Sequence, residues 1–127
     1  RIRGEYVYTR LINIVDGARI PNTNITLKLA TSKTQYVQLG QELSNCIGSY
    51  AYEPRRRSIV GIYEDDRESA VAAVEIANRT DSNTASIVQL HARSNTTYYS
   101  NAIVRDFIGT HIAKLKQQYN AENSVHD

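Results

Sequence analysis

A single cysteine stands among the 127 residues, which excludes an internal disulfide and makes a reducing compartment, the cytoplasm, the expected setting. No apolar run approaches the ~18 residues that a membrane-spanning helix needs, and no secretory leader pattern is visible. The chain opens on Arg1 rather than Met, which leaves open that it is a piece of something larger. A large excess of one sign of charge is lacking as well, with 15 Lys and Arg against 13 Asp and Glu. The net charge of +2 is too small to make the whole surface a nucleic-acid binder on electrostatics alone. There is no Gly-rich phosphate loop, no H-E-x-x-H, no C-x-x-C and no G-x-S-x-G, so no cofactor and no metal are implied. Internal repeats and low-complexity tracts are absent too.

What is present describes one modest α+β domain. The hydrophobic fraction of 41% and charged fraction of 22% lie close to globular values, and the length suffices for one core. The spacing predicts a single domain over residues 1–119 and a polar tail over 120–127. Tyr6 to Val15, rich in aromatic and β-branched residues, reads as a strand. Asp16-Gly17 signals a turn. Ile25, Leu27 and Leu29 alternate with polar residues as a half-buried strand would, expected to pair antiparallel with the first.

From Gln35 to Tyr50 the period changes to that of a helix. Leu39, Leu43, Cys46, Ile47 and Tyr50 fall on one face, Ser32 with Gln35 forms a capping box, and Gly48 is the expected stop. On this reading Cys46 is a small core residue. Three strand-like segments follow, Ser58 to Tyr63, Ser69 to Ile76 and Ser86 to His91, joined by short polar links that suit an antiparallel meander. Asp65 and Asp66 sit in one link and read as a solvated tip rather than metal ligands. Asn101 to Tyr119 is the strongest helix, with Ile103, Val104, Phe107, Ile108, His111, Ile112 and Leu115 on a broad apolar face and Gly109 behind it. The expected architecture is a small antiparallel sheet of four or five strands, with the two helices packed on one face.

Candidate sites come from polar residues at positions where apolar ones are expected. In the second and third strand-like segments, Glu75 shares a face with Ala73, and Gln89 and His91 share one with Ile87. If Glu75 pairs with Ile87 in a hairpin, Glu75, Gln89 and His91 line one side of the sheet. Should the Cys46 helix cover that side, Cys46 and Tyr50 approach the same cluster. Cys46 is then a candidate nucleophile and Glu75 a candidate general base; a wet, non-functional sheet face is the competing reading. Nine tyrosines against one Phe and no Trp raise a second possibility. Tyr52 with Arg55, Arg56 and Arg57 forms a run suited to phosphate contact and to stacking on unpaired bases, or else a plain solvated loop.

The run Leu39-Gly40-Gln41-Glu42-Leu43-Ser44-Asn45-Cys46-Ile47-Gly48-Ser49-Tyr50 resembles the G-x-x-L-x-x-C-V-G-S-Y signature of the PcfJ-like proteins of plasmids and phages. Ala73-Val74-Glu75-Ile76, Ile87-Val88-Gln89-Leu90 and Asn95 match the glutamate strand, the glutamine strand and the asparagine that follow in that family. The resemblance covers about residues 36–117. Asn45 stands where the family often has histidine, and His91-Ala92-Arg93-Ser94 replaces its usual glycine. The resemblance implies a role in mobile genetic elements without an established reaction, and it marks Cys46, Tyr50, Glu75, Gln89 and Asn95 as the positions to follow. Three functions are therefore expected in competition. The first is an accessory nucleic-acid module, single strands favoured; the second is a small enzyme centred on Cys46, Glu75, Gln89, His91 and Asn95. The third is an interaction subunit of a larger assembly.

Overall fold

A computed structural model of the chain describes residues 5–124. Its first element corrects the sequence reading. Tyr6 to Val15 belongs to a helix, α1 (Glu5–Val15), not to a strand. Val7, Leu11 and Val15 recur every four residues and are fully buried, a spacing that β-rich composition obscures, and propensity yields to such packing. Asn83 accepts a hydrogen bond from the Val7 amide at 3.3 Å, satisfying one of the donors that a helix start leaves without an internal partner. Gly17, at φ +79°, makes the turn that Asp16-Gly17 announces, but the turn ends a helix.

Strand β1 (Ile25–Leu29) forms where expected. Its partner is β2 (Arg57–Glu64), antiparallel, with Ile25 opposite Glu64 and Leu29 opposite Val60. Strands β3 (Ala72–Arg79) and β4 (Thr84–Ala92) complete one four-stranded antiparallel sheet in the order β1-β2-β3-β4. The meander through β2, β3 and β4 is thus as the polar links suggest, and Asp65 and Asp66 at its first link are exposed.

Helix α2 (Lys33–Leu43) begins as its cap indicates: Ser32 accepts from the Gln35 amide at 3.2 Å. The return bond is displaced by one residue, since Gln35 Oε1 accepts from the Thr31 amide at 2.6 Å. The helix stops four residues before Gly48, at Ser44, which adopts the left-handed conformation (φ 50°). A separate 3-10 turn, Cys46–Ser49, follows.

Helix α3 (Asn101–Ser124) extends past Tyr119 and takes in residues 120–124 of the expected tail; residues 125–127, like residues 1–4, lie outside the described part. Val104, Ile108, Leu115 and Tyr119 are its buried residues. Ile103 is 45% exposed, and His111 is half-buried with its ring edge-on to Phe107 at 4.7 Å. Burial, then Lys114 nearby, lowers the His111 pKa.

The helices do not share one side of the sheet. Val7, Leu11 and Val15 of α1 and Val104 and Ile108 of α3 pack with Leu27, Ile62, Val74 and Ile76 in one cluster. Tyr36, Leu39 and Leu43 of α2 form a second cluster with Ile47, Ile59 and Ala73. In β3 the alternation is strict: Ala72, Val74 and Ile76 face the first cluster, and Ala73 faces the second. A sheet covered on both faces needs apolar residues at both parities, which is why β2 and β3 read as nearly continuous apolar runs.

On the α1 side, Tyr8 donates to the Pro54 carbonyl at 3.0 Å and shares a hydrogen bond with Ser58. Burial raises its phenol from 10.0 to about 12. A raised folded-state value contributes stability that is complete below the unfolded value of about 10 and is lost as pH climbs through the folded one. Denaturant titrations should therefore show stability falling between pH 10 and about pH 12, with a shallower fall in Tyr8→Phe. An equally steep fall in that variant would assign the loss to other tyrosines.

Candidate functional site

The site lies on the α2 face of the sheet, between β3, β4 and the 3-10 turn. Its strand register differs from the sequence expectation. Glu75 sits opposite Gln89 and Ala73 opposite His91, whereas Ile76 sits opposite Ile87. One residue, Val88, is extra on β4, and this bulge leaves it 53% exposed. Because side chains alternate, the extra residue reverses the faces on either side of it. Ile87 therefore packs into the α1–α3 cluster, while Gln89 and His91 look into the pocket with Glu75. The three polar residues do share a face, as expected, but Ile87 does not, and that face is covered rather than wet.

Glu75 is 3% exposed and both its oxygens are occupied. Arg57 Nη1 donates to Oε2 at 3.0 Å, and Gln89 Nε2 donates to Oε1 at 2.8 Å. Gln89 Nε2 also donates to the Tyr50 hydroxyl oxygen at 3.2 Å. The Arg57 guanidinium lies 5.7 Å from the Tyr50 ring centre, within cation–π reach. Above this network is a pocket of about 290 Å³, lined by Cys46, Glu75, Gln89, His91 and Asn95, all five of the expected residues, together with Asn45 and Tyr50.

Cys46 is exposed, contrary to its expected place in the core. The reason is the break after α2. A continuous helix would carry Cys46 inward beside Leu43 and Ile47; instead Ser44 turns left-handed and Asn45 Oδ1 accepts from the Ile47 amide at 3.0 Å. Ile47 keeps its buried place and Cys46 rotates out to the pocket. The turn folds back onto α2 so closely that a Cβ on Gly40 would lie 2.7 Å from the Gly48 nitrogen. Lys33 Nζ fastens its far end, donating to the carbonyls of Gly48 and Tyr50, each at 2.6 Å. Among the described residues, neither the Cys46 thiol nor the His91 imidazole has a hydrogen-bonding partner.

The arginine run divides. Arg57 shares the face of Ile59 and belongs to the pocket network, a role that its two-residue spacing from Ile59 could have signalled. Arg55 pairs with Glu5, and Arg56 pairs with Glu53 at 3.0 Å. Tyr52 is 38% exposed, its ring edge-on to Tyr36 at 5.5 Å. Among the described residues no three His, Cys, Asp or Glu side chains gather as metal ligands would. No helix there is long and apolar enough to cross a membrane.

A family model described as PcfJ-like protein matches residues 7–104, a span that contains every pocket residue. No curated protein and no solved structure matches the chain.

The Gly40–Gly48 contact gives a direct check on how Cys46 is placed. Gly40→Ala should destabilise the protein by about 1–3 kcal/mol, as overpacking does, and should shift the backbone amide resonances of residues 45–49. A variant as stable as the parent, with that turn's spectrum unchanged, would mean the close approach does not set the turn.

Proposed function

The chain belongs to the PcfJ-like family, and from its pocket we propose a thiol-dependent enzyme acting on a small polar substrate, with Cys46 as nucleophile and His91 as the base that takes its proton. The observation carrying this reading is the exposed Cys46 at the lip of a pocket whose floor is the fully engaged Glu75. Free cysteine is normally a buried packing residue. Here the backbone is bent to bring it out, among side chains that bind and move protons. With both oxygens occupied, Glu75 acts by fixing Arg57 and Gln89 rather than as the general base that its sequence position suggests. Asn95, on the 3-10 turn Arg93–Asn95 that follows β4, adds a further amide to the wall.

The test is alkylation. Iodoacetamide should modify Cys46 in the folded protein, and His91→Ala should slow the reaction several-fold while leaving the unfolded chain's rate unchanged. A thiol that reacts only on unfolding would overturn the proposal.

One observation favours a second reading, nucleic-acid contact through the connection before β2. The Arg55 and Arg56 side chains are 74% and 76% exposed. Surface pairs of this kind contribute at most about 1 kcal/mol, so a phosphate oxygen can displace their glutamates. Tyr52 beside them offers a ring for stacking. Binding of single-stranded oligonucleotides should then weaken with salt, and Arg55→Gln with Arg56→Gln should make the log–log slope shallower by roughly one to two units. Absence of binding at low salt, or a slope indifferent to the double substitution, would refute it.

A further inference from the structure

The hydrogen-bonding capacity of Gln89 and Tyr50 carries one step more, toward the chemical group the pocket receives. This step rests on the pocket being the site, though not on the thiol. A carboxylate oxygen only accepts, so the partner of Glu75 Oε1 at 2.8 Å must be the Gln89 NH₂ group and not its carbonyl. That NH₂ has two protons, and both are used: one on Glu75 and one on the Tyr50 oxygen at 3.2 Å. The amide therefore cannot turn over without setting its carbonyl against a carboxylate. Gln89 Oε1 is held facing away from Glu75, and among the described residues no donor reaches it. Tyr50 is constrained in the complementary sense. Its oxygen already accepts from Gln89, its own proton has no acceptor among the described residues, and both residues line the pocket.

Gln89, with an unpaired acceptor in Oε1, and Tyr50, with an unpaired hydroxyl proton, are hydrogen-bonded neighbours that both line the pocket. We infer that this pair recognises a primary carboxamide, whose N–H donates to Gln89 Oε1 while its carbonyl accepts from Tyr50. A carboxylate offers no donor to Gln89 and brings a second negative charge toward Glu75. An ammonium group offers no acceptor to Tyr50. An unpaired polar group in such a place is costly, so the arrangement discriminates between molecules of nearly identical shape. The carboxamide can belong to a small molecule or to a glutamine side chain in a peptide.

The experiment uses Cys46→Ser protein, in which thiol chemistry plays no part, so its outcome is independent of the alkylation result. Binding is read from the Gln89 side-chain amide signals in nitrogen-15 spectra. Propionamide is compared with propionate, and N-acetylglutamine N-methylamide with its glutamate counterpart; the second pair reports whether a peptide backbone contributes. The amide member of at least one pair should bind about tenfold more tightly than the acid. Glu75→Gln, which releases the amide lock, should abolish most of that preference. Tyr50→Phe, which keeps the ring and the fold, should weaken the amide probe several-fold. Equal or tighter binding of the acids, no perturbation by any of the four probes, or an unchanged affinity in Tyr50→Phe would each overturn the inference.

Discussion

The buried carboxylate of Glu75 is the constraint from which the site follows. A charge withdrawn from water costs several kcal/mol unless it is paired and its remaining lone pairs are met. At 3% exposure that demand falls on three elements at once. Arg57 at the start of β2 and Gln89 on β4 supply the donors, and Tyr50, beyond the 3-10 turn, holds Gln89 from the other side. Arg57 reaches in from a side chain that stays 43% exposed, so part of its charge remains hydrated and the desolvation is shared unequally. A hydrocarbon in place of Glu75 would spare this cost, but it would also free Gln89 to rotate and Arg57 to leave. The carboxylate thus contributes orientation more than strength.

Much of this was legible from residue order, though not all for the right reason. Period-2 counting puts Glu75, Gln89 and His91 together, and in the structure they share a face. The assumed register, Glu75 opposite Ile87, is off by two residues on β4. A regular two-residue slip keeps every side chain on its face, so the pocket residues survive the error. Ile87 does not, because the bulge at Val88 reverses the alternation behind it. Nothing in Ser86 to His91 announces a bulge: there is no glycine there, and Val88 is a good strand residue.

The two larger differences each turn on a contact that local pattern does not show. In Tyr6 to Val15 the decisive contact lies far away in sequence; in Gln35 to Tyr50 it lies within the stretch itself. For α1 it is the α1–α3 cluster and the Asn83 amide that holds Val7, across 76 residues. For the second stretch it is the fold-back of the turn, which leaves no room for a Cβ at Gly40. The run Leu39, Leu43, Ile47, spaced every four residues, is buried as its period implies; the backbone simply reaches Ile47 by a different route. Cys46 is the residue that route exposes. Covering of both sheet faces was likewise written in the sequence, since β2 and β3 are apolar at both parities, yet two visible helices suggested only one covered side.

The pocket walls consequently differ in how firmly they are held. Its floor, Ile59, Ala73 and Glu75, belongs to β2 and β3, the two central strands, paired on both edges and packed on both faces. Opening such strands approaches the cost of global unfolding. The lip is a four-residue turn held by the Asn45 cap, Lys33, the Ser49 hydroxyl on the Cys46 carbonyl and a glycine contact, and most of its side-chain hydrogen bonds lie near solvent. It is therefore the part that opens at lower cost. Glu75 stands on the rigid side, Gln89 on the neighbouring edge strand β4, and Cys46 on the yielding side. Tyr50, which closes the turn and accepts from Gln89, joins the two sides, so a movement of the thiol-bearing turn on substrate entry is transmitted to the amide lock beneath it.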